Sequence, residues 1–164
     1  MKKRESTAVL KIDIPGQNKL EIEHLLLDFN GTIAFDGKLI AGVKEKLNEL
    51  AKTVKIHVIT ADTFGGACDQ LEGVSVKIAI LPIGDQDQGK CTYLNQLGVK
   101  TTVAIGNGKN DRLMLRESAI GIAVLQEEGA SVEALSAADV VCKNISSALD
   151  LLTNPKRLVA TLRI

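Results

Sequence analysis

Short apolar runs and amphipathic stretches alternate along almost the whole chain. Ala8–Ile14 and Glu21–Leu27 read as strands, and Pro15-Gly16-Gln17-Asn18 between them predicts a hairpin. Ile33–Ile40 reads as a short flap around Asp36-Gly37. Val43, Leu47 and Leu50 then recur at helical spacing with charges between them, predicting a helix over Val43–Leu50. Val54–Ile59, Val76–Leu81, Thr101–Ile105 and Ile120–Val124 are runs rich in β-branched residues and predict strands, with a last short one at Val140–Val141. Helices are predicted at Phe64–Leu71, Gly89–Leu97, Asp111–Glu117, Ser131–Leu135, Ile145–Leu152 and Pro155–Leu162. Strands alternating with helices at this spacing predict an α/β fold with a mostly parallel sheet and right-handed crossovers. The opening hairpin is expected to add an antiparallel edge to that sheet.

Composition narrows the function classes. The chain has 164 residues, 45% hydrophobic and 24% charged, which suits one domain spanning 1–164 with a core of its own. Twenty basic and twenty acidic residues cancel, so no broad attraction to nucleic acid or an anionic membrane is expected. No apolar stretch approaches the length of a membrane span, and the basic Met1-Lys2-Lys3-Arg4 is not followed by the apolar segment of a signal peptide. Cys68, Cys91 and Cys142 are odd in number and far apart, which fits a reducing cytoplasm. Cys91 and Cys142 are read as small core fillers, and His24 and His57 as structural residues.

The tips of the strands carry the chemistry. Asp28-Phe29-Asn30-Gly31-Thr32 follows Leu25-Leu26-Leu27, and Thr60-Ala61-Asp62 follows the next strand. Gly89-Lys90 precedes a helix, and Gly106-Asn107-Gly108-Lys109-Asn110-Asp111 follows Thr101–Ile105. Open α/β sheets bind ligands beyond the carboxyl ends of their strands. A carboxylate nucleophile, hydroxyl and amide donors, a cation and oxygen ligands for Mg²⁺ are what phosphoryl transfer needs. Each piece also has a plainer reading. Asp28 can bond a turn amide, Thr60, Asp62 or Thr63 can cap a helix, Lys90 can be a solvated lysine, and residues 107–111 can be a turn. A rival motif, Gly84–Cys91, nearly matches the P-loop pattern GxxxxGK[ST]. It puts Cys91 where a Mg²⁺-binding hydroxyl belongs and sets Asp85 and Asp87 against the phosphates.

Taken together in this order, the four motifs resemble those of the haloacid-dehalogenase-like (HAD) phosphotransferase superfamily. Within it they are most similar to the phosphorylation domain of P-type ATPases and its soluble relatives. The resemblance runs from about Leu25 to Val141. It implies a Rossmann-like three-layer sandwich and a Mg²⁺-dependent phosphohydrolase or phosphotransferase. In that reading Asp28 attacks phosphorus, Thr60 holds a transferring oxygen and Lys90 neutralises the charge that builds up. Phosphate contacts fall to Asn30, Gly31, Thr32, Thr60, Ala61, Lys90 and Asn110, and the metal to Asp28, the Asn30 carbonyl, Asn107 and Asp111.

The spacing is also informative. Neither Asp28 to Thr60 nor Thr60 to Lys90 is long enough for a cap domain, so an open site is implied, acting on small phosphorylated molecules. A homo-oligomer is expected to cover it through Ile33, Phe35, Leu39 and Ile40. Two departures from the family pattern stand out. Asn30 occupies the place of the usual general acid, which implies slow turnover of alkyl phosphates, and Asn107 replaces a metal-loop Asp. A catalytically weak phosphate-sensing or partner-binding module is the alternative.

Overall fold

Leu25, Leu26 and Leu27 are each fully buried, which requires apolar cover on both faces of the strand they form. The computed structural model describes residues 9–62 and 65–164 and supplies that cover. In chain order come β1 (Leu10–Ile12), β2 (Leu20–Ile22), β3 (His24–Asp28), β4 (Ala34–Phe35), β5 (Lys38–Leu39) and α1 (Val43–Leu50). They are followed by β6 (Lys55–Thr60), α2 (Gly66–Gln70), β7 (Lys77–Ile80), α3 (Gln86–Leu97), β8 (Thr102–Gly106) and α4 (Arg112–Glu117). The remainder is β9 (Ile120–Val124), α5 (Val132–Ala137), β10 (Val140–Cys142), α6 (Ile145–Thr153) and α7 (Pro155–Leu162).

Six strands form one parallel sheet in the order β10-β9-β8-β3-β6-β7. Side chains along each strand alternate between its faces. Leu25, Leu27, Ile56, Val58, Val103 and Ile105 point to one face, where Val43 and Leu47 of α1, Ala67 of α2, Leu149 of α6 and Leu158 of α7 meet them. Leu26, Ile59, Ala104 and Ala123 point to the other, against Leu94 of α3, Met114 and Leu115 of α4 and Ala134 of α5. Burying each such aliphatic side chain is worth about 1.5–3 kcal/mol. The α/β/α sandwich is therefore dictated by strands that are apolar on both faces.

From β3 the chain winds outward through β6 to β7, then returns across to β8 and continues through β9 to β10. The winding reverses between β3 and β8, and at such a point the loops beyond the two strand ends diverge and leave a crevice. Asp28 ends β3 and Gly106 ends β8, so the reversal sets two of the four motifs side by side.

The predicted hairpin is present, but it is not an edge of the main sheet. β1 and β2 pair only with each other, and Ile12, Ile14 and Ile22 turn into the larger core. The apolar run Glu21–Leu27 is divided at Glu23, whose amide donates to the Thr101 carbonyl while its carbonyl accepts from Lys55. The strand thus serves the hairpin before this residue and the sheet after it. Ala8 at the start of the predicted strand, Thr63 among the candidate caps and Phe64 at the start of the predicted helix lie outside the described residues.

The flap is a hairpin of β4 and β5 whose two turn residues, Asp36 (φ 49°) and Gly37 (φ 75°), both have positive φ, as the tightest hairpin turns require. Ile33, expected to face a partner, is instead fully buried in the core, and Leu39 and Ile40 are half-covered, leaving Phe35 exposed. His24 and His57, read as structural, meet each other across β3 and β6. His24 Nδ1 lies 3.1 Å from His57 Nε2, and His57 Nδ1 lies 2.9 Å from the Tyr93 hydroxyl. Burial, then the charges of His24, Lys77 and Lys55, push the His57 imidazole down to about 4. Cys142 is buried as expected, whereas Cys91 is only half-covered on α3.

Gly121 lets α4 close onto β9, because a Cβ there would collide with the Leu115 carbonyl oxygen. Gly121→Ala is expected to destabilise the fold by about 2–3 kcal/mol through this overpacking. Equilibrium urea unfolding measures it, and an unchanged midpoint would contradict this account of the packing.

Candidate active site

The strand tips converge. Asp28, Asn30, Thr60, Ala61, Lys90, Asn107 and Asn110 line one cleft of about 410 Å³, together with Asp62, Gln86 and Gly108. Its floor is an ion triad. Lys90, 1% exposed, places Nζ 2.6 Å from Asp28 Oδ1 and 2.6 Å from Asp111 Oδ1. A helix supplies this lysine because α3 begins at Gln86 and runs behind the crevice, so a residue one turn in points at the ends of β3 and β8. That geometry removes the P-loop reading of Gly84–Cys91. The lysine's charge is taken up by two carboxylates, and Asp87 is paired with Arg112 at 2.7 Å.

Asp111, with no exposed surface, closes the loop after β8. Its Oδ2 accepts from the Asn107 amide (2.9 Å) and the Gly108 amide (2.8 Å). Gly106 is required beneath it, since a Cβ there would stand 2.5 Å from the Asp111 carboxyl carbon. Thr32 is buried below the cleft with its hydroxyl 3.2 Å from both Asp28 Oδ2 and Asn107 Oδ1. Gly31 (φ 78°) adopts a backbone conformation that disfavours side chains, and a Cβ on it would strike the Asn107 amide. Thr60 accepts from the Asp62 amide (3.2 Å), and Asp62 Oδ2 accepts from the Ala67 amide (2.6 Å) at the start of α2. Asp62, one of the residues read as a cap, thus bonds an amide in the first turn of α2, whose N-cap position is Gly65.

Electrostatics sets these groups apart from surface residues. Burial, reinforced by the Asp111 charge, raises the Asp28 carboxyl to about 6, although Lys90 and the Thr32 hydroxyl pull it down. Burial alone would lower the Lys90 ammonium, but the two carboxylates override it and hold it above the ordinary lysine range. The triad's formal charges sum to −1, and Asp28 is the member that opens into the cleft.

Asp28, Asn30, Asn107 and Asp111 offer oxygen to the metal that the motifs imply. Carboxylate, carbonyl and carboxamide oxygens are hard ligands, and Mg²⁺ binds through one or two carboxylates while keeping several waters. The set therefore fits magnesium. Among the described residues no group of three or more His, Cys, Asp or Glu converges as zinc would need.

A fifth segment, which the motifs did not include, straps the site. Gln126, beyond the end of β9, donates through Nε2 to the carbonyls of Gly31 (3.0 Å) and Thr32 (2.8 Å) and accepts from the Ile145 amide (2.9 Å). Asn107 donates to the Gly129 carbonyl (2.9 Å), and Glu128 accepts from the Asp36 amide (3.3 Å). The same strand-tip logic applied to Ile120–Val124 would have found this loop. Gln86, whose Oε1 accepts from Asn110 Nδ2 at 2.9 Å, was hidden inside the discarded P-loop pattern.

Comparison with solved structures defines the class. A 3-deoxy-D-manno-octulosonate 8-phosphate phosphatase from Moraxella catarrhalis, in complex with magnesium and phosphate ions and its sugar acid, superposes with a TM-score of 0.66 at 14% identity, covering 87% of this chain and 94% of that one. The cobalt-bound deoxy-D-mannose-octulosonate 8-phosphate phosphatase from Haemophilus influenzae gives 0.68 at 13% identity, covering 87% and 94%. A phosphatase of the HAD superfamily from Bacteroides thetaiotaomicron gives 0.61 at 14% identity over 98% of both chains. The fold is that of HAD-superfamily hydrolases.

Sequence comparison is more specific. The chain is 48% identical over 64 residues to the uncharacterized protein MJ0073 of Methanocaldococcus jannaschii, covering 39% of this chain and 69% of that relative. It is 54% identical over 39 residues to the uncharacterized protein MJ0072 of the same organism, covering 24% and 89%. It belongs to the family of these Methanocaldococcus proteins. No family model matches the chain. Among the described residues no helix is long and apolar enough to cross a membrane.

Because folding raises the Asp28 carboxyl from 3.8 to about 6, the folded protein binds this proton more readily than the unfolded chain. The group's stabilisation is fully present below the unfolded value and is lost as pH rises through about 6. Asp28→Asn is therefore expected to be more stable than the parent by roughly 2–3 kcal/mol at pH 8, with the difference vanishing toward pH 4. Thermal melts at the two pH values read this directly, and a variant less stable at pH 8 would contradict it.

Proposed function

We propose that the protein is a Mg²⁺-dependent phosphohydrolase of the HAD kind, acting on small phosphorylated molecules through a phosphoenzyme on Asp28. The observation that carries this reading is the Asp28–Lys90–Asp111 triad at the switch point of a HAD-like fold. Among the described residues, no cap is inserted between β3 and α1 or between β6 and α3, so substrate reaches Asp28 directly.

An Asp28 oxygen attacks phosphorus, the bond from phosphorus to the leaving oxygen breaks, and that oxygen takes its proton from water. A second water then attacks the same phosphorus, releasing inorganic phosphate and returning the carboxylate. Thr60 and the Asn30 amide donate to the transferring oxygens, the Gly31 and Thr32 amides being engaged by the Ala34 and Phe29 carbonyls, and Lys90 offsets the charge that accumulates beside Asp28. Asp28, the Asn30 carbonyl, Asn107 and Asp111 are the groups that would hold magnesium, which when bound neutralises phosphate charge. Thr32 and Asn107 fix the orientation of Asp28 through the hydroxyl between them. Asn30 cannot carry a proton, so poor leaving groups depart unassisted and turnover depends on leaving-group acidity. In this respect the site is more like the P-type ATPase phosphorylation domain, which also forms an aspartyl phosphate without that acid.

The test is Mg²⁺-dependent phosphate release from p-nitrophenyl phosphate and acetyl phosphate. Asp28→Asn is expected to lose at least about 10³-fold in kcat, and hydrolysis unchanged in that variant would reject the mechanism. Asn30→Asp is expected to speed hydrolysis of alkyl phosphates by up to about 10²-fold while changing acetyl phosphate little. Equal effects on both would show that proton delivery is not what limits the parent. A protein inactive on both compounds that still binds phosphate tightly would favour the sensing module.

A further inference from the structure

The wall of the cleft beyond the triad is built almost wholly of neutral amides. Asn30, Gln86, Asn107 and Asn110 line it, with Gly108 and Ala61 between them. Asn107 is spent on Thr32 and Gly129, and Asn110 gives its amide hydrogen to Gln86. The Asn30 carboxamide, the Gln86 Nε2 and the Asn110 Oδ1 are polar ends left to meet a ligand, Asn30 being exposed at the mouth.

The charges around this wall run one way. Lys90, the cation lining the cleft, is taken by Asp28 and Asp111. Lys109 and Arg112, which flank the Asn110 loop, are paired with Glu133 (3.1 Å) and Asp87 (2.7 Å). Asp62 contributes a carboxylate to the lining, and Glu128 lies against Gly31, where a Cβ would stand 2.7 Å from its Oε2. A second anionic group on the substrate would therefore meet neutral amides and no unpaired cation among the described residues that line the cleft. Nor does any described lining residue offer an aromatic face on which a nucleobase could stack.

We propose that the leaving portion of the substrate is small, uncharged and hydroxyl-bearing, so that the cleft selects polyol or sugar monophosphates over phosphorylated acids and nucleotides. A carboxamide donates and accepts, as does a hydroxyl, so Asn30 and Gln86 match an alcohol at either polarity. This inference rests on the phosphohydrolase reading and deepens it. It also separates this chain from the two octulosonate 8-phosphate phosphatases whose fold it shares, since a sugar acid carries a carboxylate for which the described lining offers no unpaired cation.

Matched pairs test it. With the full chain and Mg²⁺, kcat/KM is measured for glucose 6-phosphate against 6-phosphogluconate, glycerol 3-phosphate against 3-phosphoglycerate, and AMP, with p-nitrophenyl phosphate as reference. The neutral member of each pair is expected to win by at least about tenfold, with AMP below both neutral esters. Gln86→Lys is expected to narrow or invert both ratios. Binding of the same esters to the Asp28→Asn protein, followed by calorimetry, is expected to show the same ranking. Calorimetric preference without turnover in the parent would support the inference while the phosphohydrolase reading failed. Acid members used or bound as well as neutral ones, or ratios unmoved by Gln86→Lys, would overturn it.

Discussion

A single ammonium group, Lys90 Nζ, holds the site together. It is buried beneath the crevice and reaches Asp28 and Asp111 at 2.6 Å each. Removing a charged side chain from water costs several kcal/mol, which only close, well-oriented opposite charges offset. The carboxylates face the mirror-image problem, since two like charges this deep repel one another and disfavour ionisation. Neither the lysine nor the pair of acids is tolerable alone. Together they fix the relative positions of β3, α3 and the loop after β8, because withdrawing the lysine would leave two buried carboxylates facing each other.

The compromise is incomplete, and the residue left in tension is the one that opens to the cleft. Asp28 retains a raised carboxyl because burial and Asp111 outweigh Lys90 and Thr32. A fully satisfied aspartate would be a poor nucleophile and a poor ligand. On the proposed function, an aspartate whose charge is costly to bury has more to gain from a bound cation. Such local instability is tolerated because the sandwich around it is apolar on both sheet faces, and because Gln126 and Asn107 tie the 30–32 turn to neighbouring loops.

The two asparagines that depart from the family pattern sit differently. Asn107 is built into the structure, bridging Thr32 and Gly129 with its carboxamide, a bridge that a carboxylate could not complete because it has no hydrogen to give. Asn30 stands exposed at the mouth. Asn107 is thus part of the architecture of the floor, while Asn30 faces the opening of the cleft.

The alternation of apolar runs and helical stretches determined the order of elements, the parallel sheet and its two covered faces, because burial on both sides of a strand is written in consecutive residues such as Leu25-Leu26-Leu27. The motif residues at the strand tips were legible for the same reason, since a polar group following a buried strand has to lie at the sheet's edge. Only the tertiary structure decided that β1 and β2 form a sheet apart, that Ile33 belongs to the core, that His24 and His57 bond each other, and that Gln126 straps the 30–32 turn. Those contacts join residues tens of positions apart. Their partners are chosen by strand order and helix placement, and no local periodicity encodes the distance between two segments that meet only when the sheet reverses its winding.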